Sequence, residues 1–367
     1  MFLPRLSRRT ALSLMLFPLM SGAAQDREAP AVRRVNLRDN NITLAKALAE
    51  IHRQTGITVA DDSGKPERTI ALDLNQATFW QAVDAVAAAG RLKSVIGDGT
   101  VRLVARRPAD RLPPASYDGD FRVRVLRTTA TRDLDSDRSQ CAVALEVAWT
   151  PTLRPLFLES QVQELRVRDQ GNKPVAVTEE PSSLVPVDGK SSYSIDLLLP
   201  GFPRAAGSIG ELSGKLTAIA PSKMLAFRFD GNLKTLNDAV ADGALRRLTQ
   251  DDVVCRLARI KLERDRWSVS VALDYPEGRL RFESFQAASL VANNELMLMS
   301  KDGKRSLSPT GYVVEHVTSR RALVTYHFTD GKRSTRGAAE TWQVQYRAPA
   351  RIVSVPFRFT FRNVPLP

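Results

Sequence analysis

Three aspartates alternate at Asp133, Asp135 and Asp137, and acids at this spacing are how a calcium-binding loop begins. Such a loop also needs glycine after the third acid, for its sharp turn, and a bidentate glutamate at its twelfth position. Arg138 and Ala144 stand there instead, so the stretch reads as the charged tip of a hairpin. The three histidines, His52, His316 and His327, have no second histidine, cysteine or carboxylate at metal-binding spacing. No nucleophilic serine or cysteine motif lies beside His316 or His327. A G-x-S-x-G elbow, a phosphate-binding loop and a dinucleotide fingerprint are likewise absent from the sequence. The acid pairs Asp61-Asp62 and Glu179-Glu180 fall in turn-like segments, where solvated loop charge explains them better than glycoside hydrolysis. No catalytic, cofactor-binding or metal-binding set emerges, and the expectation is a non-enzymatic protein.

Charge is the uneven property. The formal net charge is +13 and the sequence pI about 10.1. From Lys301 onward there are twelve lysines and arginines against four acids. Two turns concentrate them: one carries Lys301, Lys304 and Arg305, the other Lys332, Arg333 and Arg336. Hairpin tips project into water, so these six side chains are the candidate contact for an anionic partner. The plainer reading is a solvated basic surface that keeps edge strands from pairing. The chain lacks the aromatic-interleaved basic motif of a nucleic-acid module, so an acidic envelope polymer or lipid headgroup suits better.

A chain of 367 residues with 43% hydrophobic content suits two or three globular domains. Residues 1–24 read as a signal peptide: Arg5, Arg8 and Arg9, an apolar run from Thr10 to Met20, then small residues at a cleavage site. Cleavage after Ala23 or Ala24 leaves no transmembrane span in the mature chain and places the protein in the periplasm or outside the cell. Export by the general or the twin-arginine route is left open by Arg8-Arg9. The only two cysteines, Cys141 and Cys255, fall in different expected units and read as buried thiols.

Residues 31–107 have the order β-α-β-β-α-β-β. Thr43 caps a helix with Leu44, Ala47, Leu48 and Ile51 on one face, and Gly56 ends it. Thr78 caps a second, with Phe79, Ala82, Val83 and Val86 buried, and Gly90 as its stop. A hairpin around Asp98-Gly99 closes the segment. This run resembles the STN domain, the short N-terminal module of secretins and signalling TonB-dependent receptors. The resemblance rests on Leu44–Val59, Arg68–Val86 and Leu92–Val104, roughly seventy residues. It implies an α+β docking module that contacts other envelope proteins and carries no catalytic residues. The second helix has Val86-Ala87-Ala88 where the family has a leucine pair, and no secretin channel or receptor barrel comes after it.

A proline-rich linker spans 108–117, and alternating runs then continue to the end. They are spaced by turns, as in a β-sandwich rather than a βαβ fold. Three stretches recur in order: Cys141–Pro151 in Trp267–Pro276, Glu164–Lys173 in Glu295–Lys304, and Ala220–Phe229 in Ala348–Phe359. They predict two duplicated all-β Ig-like sandwiches, at 118–233 and 251–367, with 234–250 as connector. Trp80, Trp149, Trp267 and Trp342 read as core, and Phe357, Phe359 and Phe361 as a strand facing a sandwich interior. The whole predicts an α+β STN-like module followed by two sandwiches that bind envelope components through surfaces. Two alternatives stand beside it: an adapter or regulator of a secretion or TonB-linked system, and an enzyme acting on envelope polysaccharide.

Overall fold

Two threonines start the helices of the N-terminal module. In the computed structural model, residues 32–367 are described except 98, 179–180, 188, 204, 243–245, 265, 277–290, 292, 319, 330–337 and 351. The segment read as a signal peptide and the turn carrying Lys332, Arg333 and Arg336 therefore lie outside the described residues, as does the pair Glu179-Glu180. The Thr43 hydroxyl accepts the Lys46 amide and opens α1 (Leu44–Thr55), which buries Leu44, Ala47, Leu48 and Ile51. Gly56 ends it with φ of 73°, a left-handed turn that a residue without Cβ enters freely. Thr78 and Gln81 cap α2 (Phe79–Ala89) reciprocally, each side chain accepting the other's amide.

Around these helices run β1 (Arg34–Thr43), β2 (Val59–Asp61), β3 (Thr69–Thr78), β4 (Leu92–Gly97) and β5 (Thr100–Ala105). They make two small sheets. β1 pairs β3 antiparallel, and β2-β5-β4 has β2 parallel to β5. The three-residue β2 gives its short ladder to β5, which leaves β3 to pair β1 on the other side of the same core.

Beyond the module the chain is almost wholly β-sheet. The first β unit contains β6 (Ala115–Asp118), β7 (Phe121–Asp133), β8 (Arg138–Trp149), β9 (Phe157–Glu159), β10 (Gln163–Asp169), β11 (Pro174–Val175), β12 (Leu184–Pro186), β13 (Ser192–Pro200) and β14 (Ser208–Pro221). Then come β15 (Met224–Arg228), α3 (Leu233–Ala241), β16 (Arg246–Gln250), β17 (Val253–Leu262) and β18 (Arg266–Asp274). The described strands end with β19 (Glu295–Ser300), β20 (Ser306–Leu307), β21 (Gly311–Val317), β22 (Arg321–Thr329), β23 (Trp342–Pro349) and β24 (Ile352–Pro365).

The two units repeat one sheet plan. One sheet of the first unit has the order β13-β8-β7-β6, and its counterpart in the second is β22-β18-β17-β16 with β21 added outside β22. The other sheets begin β11-β10-β14 and β20-β19-β23. Glu164 and Glu295 sit in strands with matching places in these orders, as do Phe227 and Phe357. Two strands, however, cross the boundaries drawn at 118–233 and 251–367. β15 pairs β23 of the second unit, and β24 pairs β14 of the first over its whole length. Phe357, Phe359 and Phe361 thus line the first core, with Phe357 stacked on Phe121 at 3.9 Å between ring centroids. Alternation along β24 identifies an inward face, but it carries no information about which core that face enters.

The connector at 234–250 is also more structured than its composition suggests. α3 buries Leu233 and Leu236 in the second core, and β16 pairs β17. The proline-rich linker at 108–117 runs into β6 at its end. No helix among the described residues is long and apolar enough to cross a membrane.

Cys141 lies in the first core and Cys255 in the second, both free and buried. Burial pushes both thiols up from their ordinary range, and the thiolate is the reactive species. Neither thiol of the native protein will react with a maleimide at neutral pH, whereas both will in concentrated urea. Mass spectrometry of the labelled protein checks this.

Candidate functional site

The described basic turn is built from a serine outward. Ser300 donates its amide to the Arg305 carbonyl at 2.9 Å, and its hydroxyl accepts the Arg305 amide at 2.9 Å. Gly303, with φ of 69°, makes the reversal. Asp302 accepts the Ser300 hydroxyl at 2.6 Å and the Lys304 amide at 3.1 Å. These bonds, the serine's first, hold its carboxyl below the usual range. Asp302 is therefore occupied by the turn itself. Lys301, Lys304 and Arg305 are exposed, and none of them is within ion-pair distance of a carboxylate among the described residues. The Arg305 guanidinium lies 5.4 Å from the Trp342 ring centroid, which braces it while leaving its charge open. Behind the turn is a groove of about 290 Å³ lined by Arg228, Asp230, Lys301 and Gln345.

The turn sits at an outer end of the second unit. Ser300 pairs Trp342, whereas Glu295, at the other end of β19, pairs Arg347 close to the crossing between the units. Glu295 there bonds both Arg154 of the first unit and, at 3.1 Å, Arg347. That inner end is a waist where all three parts of the chain meet. A cavity of about 170 Å³ is lined by Arg33, Ile57 and Phe79 of the module, Asp120 and Arg154 of the first unit, and Lys223. Lys223 is paired with Asp251 at 2.6 Å. Burial pushes the Asp120 carboxyl up, opposed by the Thr150 hydroxyl that it accepts at 3.1 Å. A carboxyl raised in the folded state binds its proton more readily there than when unfolded. Its contribution to stability is therefore lost as pH rises through the carboxylate range. Asp120→Asn keeps the Thr150 bond and will raise the melting temperature at neutral pH, with no gain once pH falls below that range. Thermal scans at the two pH values check the sign.

The module is held to the first unit by a buried arginine. The Arg122 side chain is 0% exposed. It donates to Asp84 of α2 and to the Ser94 hydroxyl of β4, each at 2.8 Å, and lies 3.7 Å from Glu146 of β8. Its guanidinium stacks 4.0 Å from the Trp80 ring centroid. Tyr117 of β6 donates to the other Asp84 oxygen at 2.9 Å. Desolvation lowers the Arg122 pKa from its ordinary value, with Asp84 the largest opposing influence. An arginine so placed stays charged. Two of its nitrogens, Nε and Nη2, find no hydrogen-bond acceptor. The cluster therefore fixes how the two parts meet more than it adds net stability.

Most of the remaining chemical candidates are engaged in structure. Asp133 accepts the amides of Asp135 and Ser136, and Asp137 pairs with Arg132 at 2.6 Å. Asp61 accepts the Ser63 amide, and Asp62 pairs with Arg102 at 3.6 Å. His52 meets the Thr58 hydroxyl at 3.2 Å. One contact escaped the sequence: His327 Nδ1 lies 3.0 Å from the Ser268 hydroxyl. The two face each other across β18 and β22, 59 positions apart in sequence, so no local motif could show it. The pair is a cross-strand contact between directly opposed residues of the two strands. Compared with protein-family models and with curated proteins, the chain matches none.

Proposed function

We propose that this chain is a non-enzymatic binding protein of the cell envelope, exported to the periplasm or beyond. The exposed turn at Lys301, Lys304 and Arg305 is the observation that carries this reading. Three cations are held at an outer end, and the acid within the turn, Asp302, is committed to the turn's own hydrogen bonds. Their partner is an anionic envelope polymer, met electrostatically. The order of helices and strands in 32–105 supports an STN-like docking module, and the repeated sheet plan supports two Ig-like sandwiches behind it. A second envelope protein would meet the module away from α2 and β4, whose shared face is taken by Arg122 and Tyr117.

The test is retention of the mature protein on a polyglutamate matrix across a salt gradient. Exposed charges are screened beyond a Debye length of about 8 Å at physiological ionic strength, so retention will fall steeply with salt. The variant Lys301→Ser/Lys304→Ser/Arg305→Ser will elute at clearly lower salt. Equal elution of the two proteins would remove the turn as a binding surface. Retention on anionic vesicles but not on polyglutamate would assign the same cations to lipid headgroups.

A further inference from the structure

The two crossing strands form one object. β14 and β24 pair from Ser208 opposite Pro365 to Pro221 opposite Ile352, with no register shift. β15 and β23 take up the same count, from Met224 opposite Pro349 to Arg228 opposite Gln345. Between them the Ala350 amide donates to the Lys223 carbonyl at 2.9 Å, so the ladder carries through the gap. Residues 208–228 and 345–365, Arg351 lying outside the described residues, thus make a single antiparallel ribbon through both units, roughly 70 Å long at 3.3–3.4 Å per residue.

Each half of the molecule lends its last strand to the other. β24 lies beside β14 where β15, next in the chain, would lie if it folded back. β15 lies beside β23 where β24 would lie. Folding back needs a two-residue hairpin, which takes positive φ at one or both central residues and favours Asn-Gly, Asp-Gly or Gly-X. The two links are Ser222-Lys223 and Ala350-Arg351, both preceded by Ala-Pro and followed by an apolar residue. Neither contains glycine, asparagine or aspartate. Ser222, Lys223 and Ala350 are absent from the residues with positive φ.

We propose that these two links, unable to reverse, force the reciprocal exchange and so lock both halves into one cooperative, rigid body. The basic turn at 301–305 is then presented at a fixed reach from the module instead of on a hinge. Separating the halves would strip Phe357, Phe359 and Phe361 from the first core and Leu225 and Phe227 from the second. Neither core survives that alone.

The native thiols are the reporters, since Cys141 sits in one core and Cys255 in the other. In a urea series on the full-length mature protein, both will become accessible to a maleimide at the same urea concentration. In the variant Ser222→Asn/Lys223→Gly/Ala350→Asn/Arg351→Gly, each half can close on itself, and the two thiols will be exposed at separate concentrations. Separate exposure in the native protein, or coincident exposure in a folded variant, would overturn the proposal. If that variant does not fold, disulfide trapping in the native background decides. Lys215→Cys/Arg358→Cys and Ala226→Cys/Arg347→Cys place cysteines at directly opposed ribbon positions. Both pairs will cross-link within one chain under mild oxidation, with yields reduced at least tenfold when Ser222→Asn/Lys223→Gly is added. Failure of both pairs to cross-link, or no reduction in yield, would equally sink it.

Discussion

Phe357→Ala will destabilise the protein by about 3–5 kcal/mol, the range for emptying a buried phenylalanine site. The ring is 2% exposed and lies flat on Phe121, 7° from parallel. Phe359 and Phe361 follow it on the same face of β24 and lie in the same core. The location of the damage is the informative part. Amides that exchange by local opening will speed up in β7, β8 and β14, which share the first core, more than in β17 and β22, whereas those that exchange only by global unfolding will speed up equally in both units. Acceleration confined to β17 and β22 would mean that β24 belongs to the second unit.

Arg122→Ala will have a comparable effect, about 3–5 kcal/mol, because removing one partner of a buried ion pair leaves the other without compensation. Asp84 would keep Tyr117 and Ser94 as donors, but its cation would be gone, and Trp80 would face a void. Asp84→Asn will lose less, since the amide oxygen still accepts a hydrogen bond from Tyr117 or Arg122. The expected ranking is therefore native, then Asp84→Asn, then Arg122→Ala, read from urea denaturation followed by tryptophan fluorescence. Trp80 reports this junction directly. An Arg122→Ala protein as stable as the native one would mean that the module rests on the first unit through apolar contact alone.

Much of the architecture is legible in residue order. Thr43 and Thr78 announce helices because a hydroxyl at that position satisfies an orphan amide, a local effect that needs no tertiary context. Phe121, Val123 and Val125 alternate with Arg122 and Arg124, and the strand can be read from the alternation alone. What alternation predicts for Arg122 is water. Its burial arises only because the module covers that face, and the module is held by groups 28 and 38 positions away. The exchange of β15 and β24 is hidden for a related reason. Pairing between distant strands leaves no periodicity, and the clue lies in what the links lack, namely a residue that turns. The basic turn at 301–305 is the opposite case. Lysine, aspartate and glycine in that order specify the reversal locally, so it is readable without the fold.

The ribbon also sets the order in which the molecule can be finished. The Thr128 hydroxyl donates to the Pro365 carbonyl, 237 positions along the chain. A chain made from its amino end completes β14 long before its partner strand exists. In that interval β14 offers an unpaired edge, and the first core lacks three phenylalanines. Contacts this distant in sequence form slowly, and open edges are templates for pairing with other chains. In the finished protein the outer edge of β24 is guarded, with the Arg358 amide donating to Asp118 and the Thr360 amide to Ser116. The unfinished one has no such guard on β14, so the risk of aggregation belongs to the time of its making and ends when the last strand docks.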